Sequence, residues 1–305
     1  MRRTLIVVTA AAAILGFSGA KAEVLYGLTT ANALITFDSA TPGAVTAPVA
    51  ITGLQVGETL VGIDFRPATG GLYGVGNASL LYLINPITGA ATQVGATGQF
   101  AVNGTAFGFD FNPTVDRIRL TSNNDQNLRL NPDNGALAAT DTLLAYAAAD
   151  PNAAANPNVV GSAYTNNFAG ATTTTLYDID SFLDILVTQI PPNSGTLNTV
   201  GSLGFNTSDL VGFDISGLTG RAFASLTAPS ASSSQLFAIN LTTGAAVLVG
   251  TVGGGVPLRG LAASVRIPEP ASLSLIGVAL IAFAGMSMRR RGNGSDSQSG
   301  RFGSV

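Results

Sequence analysis

The sequence predicts an all-β fold, a β-propeller of five four-stranded blades closed by its terminal strands. The first observation is a unit of four short apolar runs separated by turn-forming residues, which is typical of antiparallel strands. The second is the recurrence of that unit at intervals of about 50 residues, the period of propeller blades. The third is the presence of complementary partial units at the two ends of the domain. The clearest copy has the runs Leu60–Phe65, Gly71–Val75, Leu80–Ile84 and Ala90–Val94.

In three copies of the first strand, a glycine is followed by an apolar residue and aspartate, and two further copies are weaker. The glycines are 46, 53, 51 and 48 residues apart. A turn with glycine at its second position follows each third strand. Glycine suits this position because it readily adopts the positive φ of tight turns. The first-strand copies are Gly62-Ile63-Asp64, Gly108-Phe109-Asp110, Gly161-Ser162-Ala163, Gly212-Phe213-Asp214 and Gly260-Leu261-Ala262. The turns are Thr88-Gly89, Asn134-Gly135, Ser194-Gly195 and Thr243-Gly244.

The two ends of the domain predict how the ring closes. Val24–Leu28 matches a second strand but has no first strand before it, and Leu258–Val265 matches a first strand with no successors. Joined, they complete one blade and remove two open sheet edges. Six blades remain an alternative, because Ala138–Asn158 is long and weakly patterned. We interpret that segment as an insertion between the third and fourth blades, with a short helix near Thr142–Ala149.

Residues 1–22 have the three parts of a secretory signal peptide. Arg2 and Arg3 form the basic start, and Leu5–Gly16 is the apolar run. Ala20 and Ala22 form the small-residue site, which predicts cleavage before Glu23. A transmembrane anchor is the alternative, but the apolar run is too short for one.

The composition of the domain, residues 23–266, limits its partners. It has 15 acidic residues and 7 arginines, and hence a net charge of −8, with no Cys, His, Lys or Trp. This negative charge argues against binding to nucleic acid or an anionic membrane surface. Without cysteines, the domain depends on its core rather than on disulfides for stability.

The missing residue types exclude much catalytic chemistry. Without His and Cys there is no Ser-His-Asp triad, thiol nucleophile or thiolate zinc site. Without Lys there is no Schiff base. We therefore predict a protein without catalytic residues or a cofactor.

Carboxylate chemistry remains an alternative. Asp64, Asp110 and Asp214 could serve glycoside hydrolysis, which needs only two acids. Their equivalent position in three blades instead favours pairing of each with backbone or turn groups of its own blade. Calcium, which takes oxygen ligands, is the other alternative. Its candidate ligands are Asp125 and Asp133 with neighbouring Asn, or Asp178, Asp180 and Asp184, but neither set has EF-hand spacing and turn capping is favoured.

The C-terminal segment, residues 267–291, carries a tripeptide, an apolar run and a basic cluster in that order. The apolar run Ala271–Met288 has the length of a membrane-spanning helix. The segment resembles the PEP-CTERM sorting signal of Gram-negative bacteria, and the resemblance implies recognition and cleavage by an exosortase. The polar tail, residues 292–305, is longer than usual for that signal, and an ordinary anchor is the alternative. The signal residues are Pro268, Glu269, Pro270, Arg289, Arg290 and Arg291.

The domain itself resembles a family of secreted bacterial domains of unknown function with propeller-like repeats. The resemblance rests on GFDFNPTVDRIRLTSNNDQNLRLNPDNG at Gly108–Gly135 and on the runs LVGIDFRP and LYGV. It implies the fold and brings no activity with it.

Polar residues concentrate in the third blade and predict a ligand-binding rim. Arg117, Arg119 and Arg129 are three of the domain's seven arginines. Arginine and amide side chains suit the carboxylates and hydroxyls of acidic glycans. The alternative is a network in which Arg117 and Arg119 neutralise Asp110 and Asp116. The predicted rim comprises Ser122, Asn123, Asp125, Gln126, Asn127 and Arg129.

Together these features predict an exported protein, extracellular or held in the cell envelope after passing through the inner membrane. We expect a non-catalytic binding or structural component of an exopolysaccharide matrix or biofilm. Its partners would be an exosortase during processing and an acidic exopolysaccharide afterwards. The alternative is a carboxylate-based glycosidase or Ca²⁺-dependent hydrolase acting in the propeller channel.

Overall fold

A computed structural model describes residues 22–264 of the chain. The signal peptide up to Lys21, the sorting signal and the polar tail lie outside these residues. Residues 22–264 contain no α-helix, and their helical turns are two short 3-10 segments, Pro192–Ser194 and Gly253–Gly255. No helix in this part of the chain is long and apolar enough to cross a membrane.

The described residues form five sheets, which we number as blades in chain order. The first blade contains β1 (Val24–Thr29), β2 (Ala33–Asp38), β3 (Val49–Ala50) and the last strand, β21 (Leu258–Ala263). The second contains β4 (Leu60–Phe65), β5 (Leu72–Gly76), β6 (Leu81–Ile84) and β7 (Ala91–Val94). The third contains β8 (Phe107–Asn112), β9 (Arg117–Ser122), β10 (Asn127–Leu130) and β11 (Leu137–Thr140). The fourth contains β12 (Ala145–Tyr146), β13 (Val159–Tyr164), β14 (Leu176–Asp180), β15 (Ile185–Gln189) and β16 (Thr196–Ser202). The fifth contains β17 (Val211–Ile215), β18 (Ala222–Leu226), β19 (Gln235–Ile239) and β20 (Ala246–Thr251).

The predicted ring closure is confirmed. Strand β21 pairs antiparallel with β1, with Leu25 opposite Ala263 and Leu28 opposite Gly260. The last strand is therefore the innermost strand of the first blade. The four predicted turn glycines also have positive φ, between 63° and 80°.

The helix predicted near Thr142–Ala149 is wrong, because this segment contains a strand. Strand β12 pairs in parallel with β16 at the outer edge of the fourth blade. Leu144 and Tyr146, two residues apart, are both buried against that blade. This spacing of two is the strand period, and the segment adds a fifth strand to the blade rather than a sixth blade.

The core lies between neighbouring blades rather than in one central cluster. Leu28, Ile63 and Tyr82 belong to one apolar cluster, which joins the first and second blades. Val75 and Phe109 belong to the cluster that joins the second and third blades. Burial of each such side chain stabilises the fold by about 1.5–3 kcal/mol.

Glycines allow the innermost strands to approach one another around the axis. A Cβ at Gly62 would lie 2.6 Å from Phe109 Cβ, and one at Gly212 would lie 2.5 Å from the carbonyl carbon of Gly260. The atom that a Cβ at Gly212 would meet belongs to the backbone of Gly260 and not to a flexible side chain. This approach of the two strands therefore requires glycine at position 212. The space left between these strands is only about 10 Å³.

Candidate functional site: an arginine cleft and an axial aspartate cluster

Three arginines share one face of the third blade because of strand geometry. Arg117 and Arg119 are two residues apart on β9, so their side chains leave the same face. Arg129 on β10 is directly opposite Arg119. Like charges in opposite positions are destabilising, so the arrangement requires a counter-charge.

Arg119 is buried and uses its guanidinium to join two blades. Its Nη1 donates to Asp141 Oδ2 at 2.7 Å and to Asn127 Oδ1 at 2.6 Å. Its Nη2 donates to Asn193 Oδ1 at 2.8 Å, and its Nε donates to the Tyr164 hydroxyl at 3.3 Å. Burial lowers the pKa of Arg119, but Tyr164 and the Asp141 carboxylate more than offset this, and the pKa is raised. The residue therefore stays charged inside the interface.

The counter-charge comes from Asp141, which does not balance all three arginines. Arg129 Nε and Nη2 donate to its two oxygens at 2.8 and 2.9 Å, and Arg119 shares one of them. Arg117 forms no ion pair within residues 22–264, and its Nη1 donates to the backbone carbonyl of Asp116 at 2.8 Å. Three positive charges thus face one carboxylate.

A cleft of about 220 Å³ opens between the third and fourth blades at this position. We call it the arginine cleft. Val115, exposed at the tip of the β8–β9 turn, forms part of its edge. Positive charge, amides and a phenol in one concave site suit an anion that also carries hydroxyl groups. The lining residues are Asn112, Val115, Arg117, Ile118, Arg119, Arg129, Tyr164, Pro192 and Asn193.

Most residues of the predicted rim do not line the arginine cleft. Ser122 is buried and donates to the Asn103 carbonyl at 2.6 Å, while Gln126 donates to the Ala101 carbonyl at 2.8 Å. Asn123 accepts from the backbone of Thr105 at 2.9 Å. These side chains hold the preceding loop in place. That the rim contacts a glycan stays a prediction.

Two rim residues belong to the interface with the fourth blade. Asn127 is fully buried, and its amide donates to the Thr142 and Pro192 carbonyls at 3.0 Å each. Arg129 is the rim residue that lines the cleft. Asp125, at the tip of the hairpin, has a positive φ of 60°.

The alternative network of Arg117 and Arg119 with Asp110 and Asp116 does not form. Asp116 pairs with Arg66 of the second blade through both carboxylate oxygens. Arg119 extends outward to Asp141, whereas the Asp110 side chain lies on the axis with those of other blades. Sequence proximity therefore identified the charged residues of the cleft but not their partners.

Asp64, Asp110 and Asp214 meet on the axis of the propeller, and we call them the axial triad. Each is on an innermost strand, is at most 1% exposed, and has an oxygen within 4.8 Å of the others. Asp64 accepts from the amides of Phe65 at 2.7 Å and Phe111 at 3.0 Å.

The carboxylates of the triad connect neighbouring blades. Asp214 accepts from Ile215 of its own blade at 2.6 Å and from Ala263 of the first blade at 2.5 Å. Asp64 likewise bonds its own blade and the next. Each of these two aspartates therefore forms the expected hydrogen bond within its own blade and a second hydrogen bond to the neighbouring blade.

The burial of the triad changes its acidity. Burial, followed by the charge of Asp214, raises the pKa of Asp64 well above its ordinary value. Burial, followed by the charges of Asp64 and Asp214, does the same to the pKa of Asp110. Burial raises the pKa of Asp214 to about 7, although two backbone amides oppose the shift.

Three of the five aspartates named as calcium ligands from the sequence are bonded to protein groups outside the triad. Asp133 pairs with Arg66 at 2.7 Å. Asp180 accepts from the Tyr146 hydroxyl at 2.6 Å, and Asp184 accepts from the Thr207 amide at 2.8 Å. Within residues 22–264, the acidic group close enough to share a metal ion is the axial triad.

The predicted first residue of the exported protein is part of the ring closure. Glu23 is buried, and its carboxylate accepts hydrogen bonds from the hydroxyls of Ser216 and Thr219 of the fifth blade. Its amide donates to Ser39 Oγ at 3.0 Å. Glu23 thus joins the first blade to the fifth.

Fold and site together define the chain as a five-bladed β-propeller with its sheets joined through buried charges. The chain belongs to the family described as Domain of unknown function (DUF4394), which matches residues 33–262. No curated protein matches the chain.

Several solved structures are similar in fold at low identity. The nidogen/laminin complex is 11% identical with a TM-score of 0.45, over 80% of this chain and 99% of that one. A putative 6-phosphogluconolactonase from Bacteroides uniformis is 14% identical with a TM-score of 0.43, over 80% and 89%. Hydrazine synthase of Kuenenia stuttgartiensis is 11% identical with a TM-score of 0.40, over 65% of this chain and 52% of that chain.

Proposed function

We propose that this domain is a non-catalytic binding component of an exported protein, and that it holds an acidic glycan of the extracellular matrix at the arginine cleft. The observation that carries the proposal is the collection of three arginines around one cleft in a domain of net charge −8. Positive charge gathered against the overall charge of the domain favours a local anionic ligand.

The groups at the cleft divide into structural and ligand-binding ones. Arg119 has all of its guanidinium nitrogens engaged by protein groups. Arg117 has no carboxylate partner within the described residues. Its guanidinium can therefore form a bidentate pair with a carboxylate of the ligand. The exposed Asn193 and the half-buried Asn112 supply amides for sugar hydroxyls.

The size of the cleft limits what enters it. Its volume of about 220 Å³ is below the ~300–1,000 Å³ of sites that enclose a drug-sized ligand. A cleft of this volume suits one uronate-like sugar unit of a longer glycan. The adjacent sugar units would then lie on the protein surface outside the cleft.

The closed axis supports a non-catalytic role. A glycosidase holds its substrate between two carboxyl groups about 5–9.5 Å apart. The axial triad is at most 1% exposed. The space between the innermost strands at the glycines of the same strands is about 10 Å³. No sugar unit reaches these carboxylates, so the hydrolase alternatives have no substrate site there.

Export accounts for the segments outside the described residues. The signal peptide directs the chain across the inner membrane, and the PEP-CTERM segment holds it there until an exosortase cleaves it. Release would place the propeller in the envelope or the matrix, where acidic exopolysaccharide is available.

The binding proposal is tested by replacing Arg117 with glutamine. Loss of a charge-assisted contact is worth about 1.5–3 kcal/mol, so we expect binding to an alginate or polygalacturonate oligomer to weaken about 10- to 100-fold. The melting temperature should be nearly unchanged, because Arg117 makes one hydrogen bond to a carbonyl. Titration calorimetry against each oligomer, with neutral dextran as the comparison ligand, measures the effect.

The matched control is Arg221→Gln, which removes the same charge from the fifth blade, where Arg221 lies over the Phe223 ring. This variant should bind as the unmodified protein does. Equal weakening by both variants would mean that binding follows overall charge and not the cleft. Failure of the unmodified protein to bind either acidic oligomer would end the proposal.

The export proposal predicts two processing events. In a host with an exosortase, the mature protein should begin at Glu23 and lack Ala271–Met288. Intact-mass and terminal-peptide spectrometry of the exported protein checks both ends. A host strain without the exosortase should retain the segment, and an exported protein that carries Arg289–Arg291 in the competent host would contradict the sorting proposal.

A further inference from the structure

The axial triad contains a buried carboxylate without a hydrogen bond of normal geometry. Both oxygens of Asp110 lack such a bond within the described residues, although the backbone amide of Tyr164 is near enough to lower its pKa. The residue is 0% exposed. The equivalent Asp64 and Asp214 each accept two backbone amides. One oxygen of Asp110 lies within 4.8 Å of an oxygen of each of these two carboxylates.

No cationic side chain neutralises this cluster. Within residues 22–264, none of the three aspartates forms an ion pair. A fourth buried carboxylate, Asp178, has one oxygen on Ser162 at 2.5 Å and the other unpartnered. Unpaired buried charge is strongly unfavourable, so the cluster requires either bound protons or a cation.

We propose that Asp64, Asp110 and Asp214 bind a calcium ion on the axis of the propeller. The amides that bond Asp64 and Asp214 oppose the rise in pKa that burial causes. A bound cation would favour the ionised forms further, and these are the forms that ligate a metal. All potential ligands in the triad are oxygens, as Ca²⁺ prefers. The oxygens of Asp110, which lack a hydrogen bond of normal geometry, would then face the ion.

Calcium suits the triad better than magnesium, because Mg²⁺ demands near-ideal octahedral geometry, dehydrates reluctantly and is seldom held by protein ligands alone. Ca²⁺–O bonds of about 2.3–2.6 Å allow two ligands on one ion to be up to about 5.2 Å apart. The triad oxygens lie within 4.8 Å of one another.

A cation at this point would act on the stability of the ring. The three aspartates belong to the second, third and fifth blades, and two of them already bond across to a neighbouring blade. One ion would therefore fix three innermost strands at a shared centre. This role is independent of the arginine cleft and of its ligand.

The test is the melting temperature and metal content of the full exported chain after chelation and after addition of CaCl₂. At 100 times the dissociation constant, we expect a rise of about 5–10 °C and one Ca²⁺ per chain by elemental analysis. MgCl₂ should have a smaller effect. Asp110→Asn should lose both the rise and the bound metal while remaining folded in chelator, because it removes one buried charge.

The control is Asp125→Asn, which lies outside the triad at a positive φ that asparagine accepts. It should keep the full rise and the bound ion. Absence of retained Ca²⁺ together with no rise at millimolar CaCl₂ would overturn the proposal and assign the cluster to shared protons. An Asp110→Asn variant that keeps the full rise would also overturn it.

Discussion

Deletion of the last strand, β21, is expected to leave the domain unable to fold into a soluble monomer. Leu258 and Leu261 in this strand are at most 2% exposed. Loss of two buried leucines costs about 4–10 kcal/mol, against a total stability of about 5–15 kcal/mol for a domain. The deletion also exposes the edge of β1, which then invites aggregation.

The matched control is a circular permutant that keeps every strand. Ser264 donates to the Val24 carbonyl at 3.1 Å, so the end of β21 lies beside the start of β1. A short loop containing Asn-Gly can join these ends as a hairpin, with the chain opened after Gly255. This variant should be soluble and melt cooperatively, as the unmodified domain should.

Solubility, circular dichroism and thermal melting of both variants measure the effect. A deletion variant that is monomeric and melts in a single cooperative transition would contradict the closure argument. Failure of the permutant as well would show that chain order, rather than the missing strand, is responsible.

The fold was largely predictable because its signals are local and repeated. The unit Leu60–Val94 shows four strands by alternation and turn chemistry, and the unpaired strands at Val24 and Leu258 indicate closure. The exception is Thr142–Ala149. Its Ala-rich composition suggested a helix, but the buried pair Leu144 and Tyr146 follows the strand period, and tertiary packing decided the outcome.

The sites were less predictable, because they depend on contacts between blades. The repeated aspartate suggested three separate structural roles. In a ring, however, equivalent positions on the innermost strands converge at the axis, so repetition brings Asp64, Asp110 and Asp214 together. The pairing of Arg119 with Asn193, which is 74 residues away, has no local signal in the sequence.

The rim prediction shows the same limit. The residues Ser122–Asn127 have the composition of a binding loop, but polar side chains in a hairpin serve the backbone equally well. Ser122 and Asn127 are fully buried, and each donates a hydrogen bond to a carbonyl of a neighbouring loop. The group of Arg117, Arg119 and Arg129 was more informative about the site than the rim residues, because these three side chains line the arginine cleft.

Replacement of Arg119 with methionine is expected to cause the second large loss of stability. Methionine fills much of the same volume but leaves Asn127, Asn193 and Tyr164 without their shared donor. Breaking a buried charge pair costs about 3–5 kcal/mol, and we expect about 3 kcal/mol because Asp141 keeps Arg129. For a domain of this size, that lowers the melting temperature by roughly 6–12 °C.

Two variants separate charge from geometry at this position. Arg119→Lys keeps the positive charge but loses the planar fork, and it should fall between the unmodified protein and the methionine variant. Arg117→Met removes a neighbouring arginine that has no ion pair within the described residues, and it should change the free energy of unfolding by less than about 1 kcal/mol. Urea and thermal unfolding of all three variants give the comparison. If Arg119→Met melts within 2 °C of the Arg117→Met control, the buried guanidinium does not hold the third and fourth blades together, and their apolar contacts alone account for the interface.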